Sequence, residues 1–223
     1  MGRSLLTNVP APTRPVANPW AVSWSYAAVT VFLETPRRGG KPALRDSLRI
    51  VTRAQCAAVT VHLRSAASGD LPRLTEIYNW YVQNSFATFD EAPVSAENRR
   101  AWFGTYAAAG PHQLLVAEVD GTVSGYASSS PYRSHPAFSA TVEITVYLAN
   151  DARGQGLGAQ LYDELLGRLA AERVHSVLAA VALPNAASVG LHLSRGFREV
   201  GTFTDYATKG GQPISSTWFE KLL

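Results

Sequence analysis

Thr141-Val142-Glu143-Ile144-Thr145-Val146-Tyr147-Leu148, followed after Ala149-Asn150-Asp151-Ala152 by Arg153-Gly154-Gln155-Gly156-Leu157-Gly158, is the stretch that decides how this chain folds. Val142, Ile144 and Val146 alternate with Glu143 and Thr145, the period of a strand with one buried face. Glu143 and Thr145 then share the opposite side, toward a cleft. Leu157, Leu161, Leu165 and Leu169 form one stripe of a long amphipathic helix, so the glycine run joins a strand to a helix. Its glycines permit close backbone approach, and the new helix presents unpaired N–H groups and its positive dipole end. Such a turn suits a pyrophosphate.

Other glycine-loop chemistries fit less well. A P-loop needs Lys-Ser/Thr after its last glycine, whereas Gly158 is followed by Ala159-Gln160. A dinucleotide fingerprint can be forced as Gly154-x-Gly156-x-x-Ala159, but the next strand, Ser176–Ala182, carries no acid to hold a ribose. A glycine turn with a purely structural purpose is the bland alternative.

Outward from this stretch, strand and helix signals recur from Val59 on. Val59–Arg64 alternates like a strand, and Asp70 stands as N-cap before Leu71, Leu74, Ile77, Tyr78 and Tyr81 at helical spacing. Ser95 caps a second helix running through Trp102, Phe103 and Tyr106. Leu114–Val119 and Thr122–Ser128 flank Asp120-Gly121, a hairpin turn. A strand at Ser176–Ala182, a helix from Asn185 to Arg195, and strands near Phe197–Tyr206 and Ser216–Leu222 complete the order β-α-α-β-β-β-α-β-α-β-β. The expectation is an α/β domain over residues 60–223.

Residues 1–59 read differently. Eight of the 20 Lys+Arg and two of the 17 Asp+Glu fall there, so this segment carries +6 and the remainder −3. Prolines at 10, 12, 15, 19, 36 and 42 prevent long helices. A disordered basic leader, removable without loss of folding or activity, is expected; a basic arm for membrane or nucleic acid is the alternative. The acidic body is not a polyanion-binding surface by composition, and no nucleic-acid partner is expected. Trp20–Leu33 is too short to span a bilayer, and no membrane association is expected. The single cysteine, Cys56, permits no internal disulfide, and no Cys/His cluster has metal-ligand spacing. The default expectation is a cytoplasmic protein without a metal.

Several separated motifs in order give the chain a specific resemblance. To the central stretch are added Glu76-Ile77-Tyr78-Asn79, Ala87-Thr88-Phe89-Asp90, Gly125-Tyr126-Ala127, Pro131-Tyr132-Arg133, Leu183-Pro184-Asn185 with Ser188, and Leu191-His192 before Gly196-Phe197. From Thr60 to Leu223 the chain resembles the GCN5-related N-acetyltransferase (GNAT) superfamily, and within it the phosphinothricin and methionine sulfoximine acetyltransferase group. The superfamily's coenzyme motif, Arg/Gln-x-x-Gly-x-Gly/Ala, is matched by Arg153, Gly156 and Gly158.

The resemblance implies the GNAT fold, a mixed and mostly antiparallel twisted sheet flanked by helices. It implies acetyl transfer from acetyl-CoA to a small amino-acid-like amine; another amine acceptor, or a non-catalytic coenzyme-A-binding module, is the alternative. Backbone of Val146, Tyr147 and Leu148 would pair with the pantetheine arm. Arg153, Gly154, Gln155, Gly156, Leu157 and Gly158 would cradle the pyrophosphate, and Asn185 and Ser188 would touch the arm from the other side. Glu143 matches the catalytic base of the family, and burial raising its pKa would favour that duty. His192 stands where many members carry a Tyr that protonates the departing thiolate; it is a candidate acid, substrate ligand or structural residue. Arg133 is the candidate contact for an acceptor carboxylate or phosphinate, with Tyr132, Phe89 and Tyr126 lining the cleft or packing beneath it. Where relatives often show Tyr-Arg-x-Arg-x-Ala-Tyr, this chain has Tyr132-Arg133-Ser134-His135-Pro136-Ala137-Phe138, with His135 in place of the second arginine and Phe138 in place of the last tyrosine. Relatives also imply a homodimer, with Trp218-Phe219 as a candidate interface edge.

Overall fold

The structure, a computed structural model, describes residues 60–223; the expected leader, 1–59, lies outside the described residues. Seven strands and four α-helices follow in the expected order: β1 (Val61–Ser65), α1 (Leu71–Asn84), α2 (Ala96–Phe103), β2 (Leu114–Val119), β3 (Thr122–Pro131), β4 (Thr141–Leu148), α3 (Leu157–Ala171), β5 (Ser176–Ala182), α4 (Ala186–Ser194), β6 (Arg198–Lys209) and β7 (Gln212–Leu222). They form one sheet of strand order β1-β2-β3-β4-β5-β7-β6. Only β4 and β5 run parallel among the described strands.

Local chemistry accounts for the element ends. Ser95 Oγ accepts from the Asn98 N–H at 3.1 Å, closing the first turn of α2. Asp120 (φ 48°) and Gly121 (φ 81°) both adopt positive φ, as a two-residue hairpin turn requires. Asp70 occupies the N-cap position of α1, as expected, but its side chain makes no capping bond to the helix. Its carboxylate instead accepts from the Ala67 N–H at 2.7 Å and pairs with Arg64 at 2.7 and 2.9 Å, pinning β1 to the turn before the helix. The last two strands run longer than expected because Pro213 interrupts the apolar pattern without ending β7. It pairs with Thr208 beside the Gly210-Gly211 turn.

Two cores lie on opposite faces of the sheet. Val142, Ile144, Ala127, Val177 and Ala179 face α3, whose Leu161, Tyr162, Leu165 and Leu169 are buried against them. On the other face α1 packs Leu74 and Ile77 onto Leu114, Val116 and Tyr126. Gly125 is required where β3 passes β4: a Cβ there would lie 2.4 Å from Leu148 Cδ2 and 3.0 Å from the Tyr147 carbonyl oxygen.

Candidate active site

The parallel ladder between β4 and β5 is short. It pairs Thr141 with Ser176, Val142 with Val177 and Glu143 with Leu178, and then stops. β4 continues to Leu148 and β5 to Ala182, so the strands part like a fork. β3 still holds the other edge of β4 as far as Gly125↔Leu148. Alternate residues of β4 from Ile144 on therefore turn their backbone polar groups away from β3. Those of Leu148 are held by the Tyr81 hydroxyl, which donates to its carbonyl at 2.9 Å and accepts from its N–H at 3.4 Å. The edge before it is able to receive an extended chain. Val146 and Tyr147 lie along this edge, and Leu148 ends it.

Glu143 stands at the point of the fork. Val142 and Ile144 are buried in the α3 core, so Glu143 lies on the other face with Thr145 and Tyr147. Across β3 it meets Ser130, as Thr145 meets Ser128 and Tyr147 meets Tyr126. Partial burial pushes the Glu143 carboxyl above its ordinary pKa, which suits proton acceptance from an amine near neutral pH.

Beyond the fork the chain turns into α3 through exposed Arg153, Gly154, Gln155 and Gly156. Gly154 (φ 75°) and Gly156 (φ 79°) are left-handed, and no atom would meet a Cβ at either, so the turn opens onto free space. Leu157 and Gly158 are buried beneath it. No side chain caps α3, which leaves its first amides available to an anion. Arg153 is held against α1, donating to Asn150 Oδ1 at 2.5 Å with its guanidinium 4.3 Å from the Trp80 ring centre. The Gln155 amide donates to the Asp151 carbonyl at 3.0 Å. Asn185 Oδ1 accepts from the Ser188 N–H at 3.1 Å, forming the N-cap of α4. These residues fit a pyrophosphate held by main-chain amides.

On the face of Glu143, α1 and α2 enclose a cavity of about 560 Å³. Ser128, Ser130, Thr145 and Tyr147 form its floor, with the Ser128 and Thr145 hydroxyls 3.0 Å apart. Tyr78 donates to Asp90 at 2.6 Å and shares a 2.6 Å hydrogen bond with Thr88. Burial and Asp90 push its pKa up to about 12, keeping the phenol neutral. Tyr147 donates to the Ala87 carbonyl at 3.2 Å and packs against Tyr78, Tyr81 and Tyr126.

The residues singled out for the acceptor fall in different places. Tyr126 is 1% exposed and belongs to the cavity wall. Phe89 is exposed at 44% and lies 6.0 Å from Tyr206. Arg133 is exposed beyond the end of β3, packing on Tyr132 and Phe138, and neither it nor Tyr132 lines the cavity. The cationic residue that does is Arg99 on α2, only 4% exposed. In the sequence Arg99 has no mark that sets it apart from Arg100 except that it stands three residues before Trp102 and so shares its helix face.

His192 sits in the α3 core, on the sheet face away from Glu143. It is 2% exposed and stacks on Phe219 at 5.3 Å. The Ser188 carbonyl, 2.7 Å from Nδ1, can only accept, so Nδ1 carries the proton and Nε2 accepts from the Tyr162 hydroxyl at 3.1 Å. Burial lowers the imidazole pKa against a smaller opposing effect of the Ser188 carbonyl. Both ring nitrogens are committed within the protein. Phe219 is likewise fully buried within the chain, which removes it from any exposed interface edge.

Known proteins share this plan. The family model of the Acetyltransferase (GNAT) family matches residues 74–197. A phosphinothricin N-acetyltransferase of Streptomyces coelicolor is 42% identical over 165 residues, 73% of this chain and 96% of that enzyme. An L-methionine sulfoximine/L-methionine sulfone acetyltransferase of Pseudomonas aeruginosa is 39% identical over 162 residues, covering 73% and 94%. Among solved structures, a GNAT superfamily phosphinothricin acetyltransferase from Sinorhizobium meliloti in complex with AcCoA superposes with a TM-score of 0.70 at 33% identity, over 74% of this chain and 89% of that one. Identity at this level over nearly the whole of both curated enzymes leaves no room for a different ancestry, and the chain belongs to the GNAT family of acetyltransferases.

Proposed function

We propose that the protein transfers an acetyl group from acetyl-CoA directly to the amine of a small amino-acid-like substrate, with Glu143 as the general base. The observation that carries this reading is the position of Glu143, where the β4–β5 fork meets the face of the α1/α2 cavity. Amides of Gly154–Gly158 would hold the pyrophosphate and the β4 edge at Val146–Leu148 the pantetheine arm, with the Leu148 end of that edge already bonded to Tyr81 and Asn185 and Ser188 at the facing helix start. Bound there, acetyl-CoA supplies the activated acyl group. Glu143 takes a proton from the ammonium, directly or through a water, and so frees the lone pair that attacks the acetyl carbonyl. The C–N bond forms as the C–S bond breaks, the sulfur would depart as a thiolate, and the second proton shed by the nitrogen passes through water to that thiolate. Unpaired N–H groups of β4 can donate to the oxygen that gains charge. His192 serves the packing of α4 in this reading.

The names of the relatives, phosphinothricin and methionine sulfoximine or sulfone acetyltransferases, support an amino-acid-like acceptor. A homodimer is part of the proposal. β6 is an edge strand with Val200, Phe203 and Tyr206 exposed at 56%, 56% and 45%, an apolar edge that soluble monomers usually protect.

Thiol release from acetyl-CoA, measured across phosphinothricin, methionine sulfoximine, methionine sulfone and unrelated amines, tests the assignment. Turnover with an amino-acid-like amine is expected, and Glu143→Gln should reduce kcat by roughly 10²–10⁴ with acetyl-CoA affinity unchanged. Acetyl-CoA binding without turnover of any amine would identify a non-catalytic module and overturn the proposal.

A further inference from the structure

Arg99 carries a charge that the fold leaves unbalanced. Its side chain is 4% exposed, yet no carboxylate lies within 4.0 Å of its guanidinium among the described residues. The guanidinium carbon lies 3.5 Å from the Trp102 ring centre and 4.7 Å from that of Tyr78. Nη2 donates to the Tyr126 hydroxyl at 3.3 Å, a neutral partner, and the buried Nε has no partner at all. Contact with ring faces and one neutral hydroxyl offsets part of the lost hydration but leaves the Nε–H unanswered and the charge without a counter-ion. A buried cation without an anion is costly, and it persists where a ligand completes it.

Arg99 is also the one cationic side chain among the residues lining the cavity, and Asp90 the one acidic. The floor below them, Ser128, Ser130 and Thr145, leads by strand register to Glu143. We infer that Arg99 is the anchor for the acid group of the acceptor, a carboxylate or phosphinate of the molecule whose amine is turned toward Glu143. This rests on the proposed acetyl transfer to an amino-acid-like amine, and it moves the anion contact from exposed Arg133 to the interior of the cavity. The acceptor class is thereby narrowed to amines that carry an anion; polyamines and aminoglycosides would bring a second cation against Arg99.

The test compares L-methionine sulfone with its carboxamide, which keeps the amine and removes the charge. With the wild-type protein, kcat/KM for the acid should exceed that for the amide by roughly 10²-fold, chiefly through KM, the scale of losing one partner of a buried charged pair. Arg99→Met should bring the two acceptors to near parity, and Arg99→Lys should restore part of the preference. Acetyl-CoA affinity should not change. Thermal midpoints give a second readout: without acceptor, Arg99→Met should be as stable as wild type or more so, because an unpaired buried charge is replaced by an apolar chain. The acid should then raise the wild-type midpoint more than the amide does, and this difference should vanish in Arg99→Met. Equal use of acid and amide by wild type, or equal loss of both in Arg99→Met, would overturn the anchor while leaving acetyl transfer intact. A midpoint shift selective for the acid with no turnover of either compound would keep the anchor and reject acetyl transfer.

Discussion

Glu143 and Leu178 form the last rung of the parallel β4–β5 ladder, and beyond them the strands separate. A carboxylate so placed lies on the floor of the sheet, beside the gap but not across it. Burial raises its pKa, so the ionised form is the one the fold disfavours. Turnover requires that form, and the acid limb of kcat/KM should therefore lie above the ordinary carboxylate range and disappear in Glu143→Gln. Stability runs in the opposite sense. A folded pKa above the unfolded value favours the folded state fully below the unfolded pKa, and that contribution is lost as pH rises through the folded one. Glu143→Gln should consequently gain stability over wild type as pH rises through this window, with no gain at lower pH. Chemical denaturation at several pH values measures it; a constant difference would mean that Glu143 is as well solvated as an ordinary surface acid.

His192 leads to the contrary expectation for activity. Replacing it with Phe strands the Tyr162 hydroxyl and removes the side-chain donor from the Ser188 carbonyl, which keeps its place in the α4 ladder, at a cost of about 1–3 kcal/mol. kcat should stay within about tenfold of wild type, against the roughly 10²–10⁴-fold loss that removal of a general acid brings. The imidazole pKa is lowered from its ordinary value of 6.5, so its contribution to stability is complete above that value and lost as pH falls through the folded pKa. His192→Phe should therefore flatten part of the acid limb of the stability profile. A large kcat loss with an altered basic limb of the rate profile would return His192 to the chemistry.

The glycine turn separates two needs that the motif merges. Gly156 adopts φ 79° in open space, so a methyl group meets no neighbour but strains the backbone. Gly156→Ala should lose about 1–2 kcal/mol from the left-handed conformation alone, and acetyl-CoA affinity with it. Gly158 is helical, and a Cβ there would lie 3.4 Å from Leu191 Cδ2 and 3.7 Å from Leu148 Cδ1, ordinary contact distances. Gly158→Ala should leave both stability and affinity near wild type. Calorimetric titration with acetyl-CoA beside thermal melts distinguishes the two, and equal effects would contradict the conformational account.

What the sequence made legible was what repeats with a backbone period or demands a special φ. The alternation of Val142, Ile144 and Val146 with Glu143 located β4 to the residue, and Asp120-Gly121 located the hairpin. The environment of a single polar side chain has no such signature. Glu97-Asn98-Arg99-Arg100 reads as a solvated helix face, and only the packing of α2 against Tyr78 and Tyr126 distinguishes buried Arg99 from exposed Arg100. His192 carried a family position that suggested chemistry, but the neighbours that occupy both its nitrogens come from Tyr162, on another helix, and Ser188. Pro213 hid the length of β7, because a proline inside an edge hairpin looks like the end of a strand.

Lys209 gives the most distant of these dependencies. It ends β6 at 8% exposure, and its ammonium donates to the Ser85 carbonyl at 2.8 Å and the Thr88 carbonyl at 2.9 Å. The next residue, Gly210, donates its N–H to Glu91 Oε1 at 2.7 Å. The turn of β6–β7 thus grips both ends of the segment 85–91. That segment supplies the Ala87 carbonyl to Tyr147, and Thr88 and Asp90 to Tyr78, so it shapes one wall of the cavity. Burial pulls the Lys209 pKa down while Asp90 and Glu91 oppose the shift; two accepting carbonyls favour the ammonium. Lys209→Met should leave both carbonyls unpaired, costing about 1–3 kcal/mol, and should raise KM for the amine more than it lowers kcat. The glycine turn lies on another part of the sheet, so acetyl-CoA affinity should hold. Steady-state kinetics with each substrate varied in turn decides it: equal losses in both KM values would reduce Lys209 to a general stabiliser of the fold.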